Sequence, residues 1–160
     1  MDAWEVLNGV YEPLYQKVKK LRTRLLKEGY PVTWDWYAFH SSRRDGEPKL
    51  EYFPIPVLTV EGVCNIGLAL DRVFAEGTLT RQQASSFDWT SVSRPFELYG
   101  VEDCLEQLYG PGMSLEDLPQ RIASSGESAF GLQFVLPSDC GTEELLAVVA
   151  DCKRWGTNIS

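Results

Sequence analysis

The groups able to do chemistry in this sequence are few, and carboxylates lead them. Asp35 sits in the ring-rich run Val32-Thr33-Trp34-Asp35-Trp36-Tyr37-Ala38-Phe39, and Asp71 follows the most apolar segment. Glu51 and Glu76 fall on neighbouring strand-like runs. Two carboxylates converging on one sheet face could act as general acid and base, or hold a cation. The ordinary use of such residues is a solvent-facing strand or turn position. Rings are the second resource: Trp34, Trp36, Tyr37, Phe39, Tyr52 and Phe53 crowd into positions 34–53. Large rings fall on both sides of the first strand. One face must pack on helices, which leaves the other free to offer a patch to a ligand or a protein. The candidate binding residues are accordingly Trp34, Asp35, Trp36, Tyr37, Tyr52 and Asp71.

Other chemistries fare worse. His40 is the single histidine, which removes most metal sites and any catalysis that needs two imidazoles. It neighbours Ser41 and Ser42, but adjacency in sequence is not triad geometry, and no Gly-x-Ser-x-Gly elbow is present. No Gly-x-Gly-x-x-Gly run or P-loop ending occurs to cradle phosphate. Cys64, Cys104, Cys140 and Cys152 are scattered with no Cys-x-x-Cys pair, so reduced thiols packed as small apolar residues are expected. Neither a metal nor a cofactor is expected.

Charge narrows the partners. The formal net charge is −8, but residues 1–27 hold six basic and three acidic side chains. The remaining 133 residues carry nine basic and 20 acidic ones, a net of −11. An acidic body repels phosphate backbones and favours basic partners, or simply keeps the protein soluble. The cations of the first helix come with no nucleic-acid-reading motif, so internal pairing with acidic neighbours is expected rather than nucleic-acid binding. No apolar run reaches the ~20 residues of a membrane span, and the opening residues are acidic where a signal peptide needs positive charge. A soluble cytoplasmic protein follows as the expectation.

The elements that must position these groups are legible from periodicity. Trp4, Leu7, Tyr11, Leu14, Val18, Leu21 and Leu25 recur at steps of three and four and draw one helical stripe, with Gly29 and Pro31 as its stop. Pro13 either kinks that helix or opens a second one. Residues 31–80 then read as strands turning back on one another. The polar run 40–48 forms a hairpin loop, Pro54 and Pro56 mark an edge, bulge or bend, and Glu61-Gly62 makes a tight turn. A capping box at Thr80–Gln83 opens a short helix. Residues 85–93 read as a loop pinned by Phe87 and Trp89, and residues 95–99 as a strand. Residues 101–109 read as a helix with Val101, Leu105 and Leu108 on one face, ended by Gly110-Pro111-Gly112. A further helix runs to about residue 125. An inner strand at 129–136 and a last helix capped by Thr142 and stopped by Gly156 complete the chain.

The expectation is therefore one α+β domain over residues 1–160: a single antiparallel sheet of about five or six strands, with the N- and C-terminal helices packed on one face. The leading functional reading is a non-enzymatic protein-binding module, of the inhibitor, immunity-type or regulatory kind, using an acidic, aromatic-bearing surface. A small enzyme or ligand-binding protein is the second reading. Its pocket would lie between the sheet and residues 85–114, with carboxylates and Tyr37, Tyr52 or Tyr99 as polar groups. A structural homo-oligomer joined through the Trp34/Trp36 strand is the third.

Overall fold

A computed structural model describes residues 3–40, 52–69, 72–102 and 106–158. Helix α1 (Ala3–Lys27) leads into strands β1 (Val32–His40), β2 (Tyr52–Val60), β3 (Cys64–Leu68) and β4 (Arg72–Thr80). Helix α2 (Arg81–Ser86), a 3-10 turn (Trp89–Ser91), β5 (Phe96–Gly100) and β6 (Gln107–Tyr109) follow. A second 3-10 turn (Leu115–Asp117), α3 (Leu118–Ser124), β7 (Ala129–Pro137) and α4 (Thr142–Trp155) complete the order. The strands form one seven-stranded sheet in the order β1-β2-β3-β4-β7-β5-β6, and every pairing is antiparallel.

Alternation decides the layers. On β4, Val73, Ala75, Gly77 and Leu79 are buried, and on β7 so are Phe130, Leu132, Phe134 and Leu136. These face Val18, Leu21 and Leu25 of α1 and Leu145, Leu146, Val148, Val149 and Cys152 of α4 within one apolar cluster. The period-two and period-3.6 stripes thus meet on a single face, as the sequence pattern requires. Arg24 of α1 pairs with Glu143 of α4, and Lys17 Nζ donates to the Ser138 carbonyl at 2.9 Å. These two basic side chains of the first helix are therefore used internally.

The sheet has one strand more than the upper expectation, and the reason is local. Residues 101–109, read as a helix from the spacing of Val101, Leu105 and Leu108, contribute β6 instead, with 103–105 outside the described residues. The Gly100 N–H donates to the Glu106 carbonyl and the Val101 N–H to that of Ala129, so sheet pairing claims the backbone a helix would have used. Pro54 and Pro56 do not interrupt β2, which pairs with β1 from Val60 back to Tyr52. Both prolines have the same strand parity, so their missing N–H groups share one edge. That edge lies beyond the last β2–β3 pair, Val57–Gly67, where no ladder bond is owed. The hairpin loop read at 40–48 falls almost wholly outside the described residues.

The caps are mixed. Thr80 and Gln83 make a full capping box at α2. Gly141, not Thr142, precedes α4, with no side-chain cap. Gly156 takes φ +75° to end α4, and the chain then turns back: Thr157 Oγ1 donates to the Val63 carbonyl at 2.7 Å, and Asn158 bridges Thr78 through the backbone.

Candidate functional site

All four helices serve the buried face, so the opposite face of the sheet is built from strand positions alone. Two cross-strand rows define it. The first runs Thr33, Thr59, Asn65, Glu76, Gln133 and Glu97, one residue from each of six strands in direct register. Within it Thr59 Oγ1 donates to Asn65 Oδ1 at 2.9 Å, and beside it the Tyr99 hydroxyl donates to Glu97 Oε2. The second row runs Asp35, Val57, Gly67, Phe74 and Val135. The Phe74 ring covers Gly67 so closely that a Cβ there would lie 2.1 Å from its tip. Residues of one face repeat every other position, so the polar and apolar rows lie about 7 Å apart.

Asp35, Glu76 and Val135 are exposed, and Thr59, Asn65, Phe74, Gln133 and Glu97 are half-buried. Glu76 is exposed, yet the strands on either side strip enough water from its carboxyl to raise its pKa above the ordinary value. On the open face the described strands place Asp35, Glu76 and Glu97 together with one cation, Arg72.

The candidate residues separate under this geometry. Trp34 lies on the helix-covered side, opposite Leu58, with its ring 6.1 Å from that of Tyr15. Asp35 alternates to the open face. Trp36, Tyr37 and Tyr52 occupy register positions opposite Pro56, Ile55 and His40, and Asp71 and Glu51 lie outside the described residues. Asp35 and Glu76 do not converge: they stand three strands apart, about 14 Å at the usual spacing. As an acid–base couple they are too distant. Glu97 and Phe74 carry the open face as much as Asp35 does, and only the register brings them into its rows. Among the described residues, no three His, Cys, Asp or Glu side chains gather closely enough to hold a metal ion. No described helix is long and apolar enough to cross a membrane.

The buried thiols are a separate matter. Cys64, Cys140 and Cys152 are free and buried, and Cys104 lies outside the described residues. Cys64 on β3 hydrogen-bonds Cys152 on α4, and that bond together with burial pushes the Cys64 thiol well above its ordinary range.

No family model and no curated protein matches the chain. Among solved structures it is similar to a conserved hypothetical protein from Pyrococcus furiosus, with a TM-score of 0.73 and 18% identity over 95% of each chain. At that identity the likeness shows a shared fold alone.

Proposed function

We propose that the chain is a binding module whose open sheet face holds a basic, amphipathic segment of a partner protein. One observation carries the reading: a polar row holding Glu76 and Glu97 lies beside a row of Val57, Gly67, Phe74 and Val135, across a sheet whose helices pack on the other side. Cations on the partner would meet Glu76, Glu97 and Asp35, while its apolar side would rest on Val57, Phe74 and Val135. Keeping an ionisable Glu76 between two strands costs stability, and a partner's cation would offset that cost.

The test is charge reversal at the centre of the face. A basic protein should co-purify with the wild-type chain from the native host, and the Glu76→Lys/Glu97→Lys double variant should lose it. The variant's melting temperature should fall by no more than several degrees, because Glu76 is exposed and Glu97, half-buried, gives up one hydrogen bond from the Tyr99 hydroxyl. Recovery of the bare monomer from wild type would sink the proposal. So would a partner retained undiminished by the double variant.

A further inference from the structure

On the helix side, at the far end of the sheet from β1, a cleft of about 250 Å³ opens between the segment preceding β5 and the turn following β6. Val92, Arg94, Phe96, Tyr109, Pro111 and Leu115 line it. The space suffices for a small organic ligand. Its floor is aromatic: Phe96 stacks on Tyr109 at 4.6 Å between ring centroids, and Trp89 stacks behind Phe96 at 5.4 Å.

Arg94 is the unusual member. Its Nη2 donates to Asp151 Oδ2 at 3.1 Å, while Asp151 Oδ1 is taken by Arg154 at 2.9 Å. One carboxylate therefore serves two guanidinium groups and leaves a local net of +1. The Arg94 Nη1 atom is buried and has no hydrogen-bond partner among the described residues. A guanidinium nitrogen stripped of water without an acceptor is costly; the rest of the side chain, 24% exposed, borders the cleft, so a turn about its last torsions would bring Nη1 to an acceptor held there. A smaller hollow of about 70 Å³ adjoins the cleft across Pro95, Phe96 and Pro111, and Glu97 lines it. That carboxylate disfavours a second negative charge nearby.

We propose that this cleft binds a small organic monocarboxylate with a flat apolar body, its carboxylate on Arg94 and its body on the Phe96–Tyr109 ring pair. A single negative charge completes the Arg94–Asp151–Arg154 group, and planar geometry suits both the guanidinium fork and the stacked rings. The cleft itself is bounded by none of the residues assigned to the partner face, although Glu97 and Val135 of that face border the adjoining hollow.

Benzoate is the probe, followed by amide chemical shifts. Saturable shifts confined to residues near 92–96 and 108–115 are expected below about 10 mM. Arg94→Gln should weaken them at least about tenfold, the loss expected for a charged hydrogen bond. Leu115→Trp, which fills the cleft and leaves the Arg94–Asp151 pair untouched, should abolish them. It also decides the matter if Arg94→Gln fails to fold. Benzamide and inorganic phosphate should each bind at least about tenfold more weakly than benzoate. Absence of saturation, shifts unchanged in Leu115→Trp, or phosphate binding as well as benzoate would each overturn the assignment.

Discussion

One carboxylate and three thiols show how burial sets behaviour before any partner is considered. Glu76 has a folded pKa above its unfolded one because neighbouring strands desolvate it. The native state therefore favours the protonated form. The stability tied to this site is fully present below the ordinary glutamate range and is lost as pH rises through the folded pKa. Glu76→Gln should raise stability at neutral pH, by a few tenths of a kcal/mol given solvent screening of an exposed carboxyl. The gain should fade toward about pH 4 in urea melts run across pH. Cys64 and Cys152 lie on the other side of the sheet, both fully buried, with Cys140 nearly so. Mass spectrometry after brief iodoacetamide treatment should find these three unmodified in the native protein and alkylated in urea, since burial keeps the reagent from all three sulfurs. Rapid native labelling of Cys64 would contradict the packing described.

At the scale of elements, the C-terminal return is the joint that locks α4 onto the sheet. Gly77 on β4 leaves room for Thr157: a Cβ there would lie 2.6 Å from the Thr157 Cβ. The Thr157 hydroxyl in turn caps the Val63 carbonyl beside the β2–β3 turn. Gly77→Ala should therefore cost about 1–3 kcal/mol by overpacking, visible as a lower urea midpoint with an unchanged slope. Gly67 makes the opposite case. Its close neighbour is the Phe74 ring on the open face, which can swing into solvent, so Gly67→Ala should cost less than Gly77→Ala. An equal loss at the two sites would mean that the Phe74 ring is held as firmly as the core.

For the molecule as a whole, one apolar cluster joins α1, α4, the 3-10 turns and the central strands. Heat or urea should accordingly unfold the chain in one transition, with far-ultraviolet circular dichroism and tryptophan fluorescence coincident. Leu132→Ala, at a fully buried position of the central strand β7, should lower stability by about 2–5 kcal/mol, or very roughly 5–15 °C in melting temperature. Separate transitions would divide the chain into two folding units and contradict the single domain expected over residues 1–160.

The sequence by itself determined the class of element at most positions, because burial on one side imposes a period. The stripe of α1, the alternation of Phe130 to Leu136, the Thr80 capping box and the stops at Gly29 and Gly156 were all legible as local chemistry. Where local signals competed with distant pairing they misled. Val101, Leu105 and Leu108 have helical spacing, yet β7 takes the Val101 N–H and β5 pairs with the strand that carries Leu108. The prolines of β2 are harmless only because β3 ends before reaching them. Tertiary structure alone decided which side chains meet. Strand order places β7 between β4 and β5, which aligns Glu76, Gln133 and Glu97 from segments far apart in the chain. The same order holds Asp35 apart from Glu76, and folding brings Arg94 against Asp151 across more than fifty positions. Spacing along a chain encodes which face of its own element a residue occupies. Which other face it confronts is encoded only in how the elements pack.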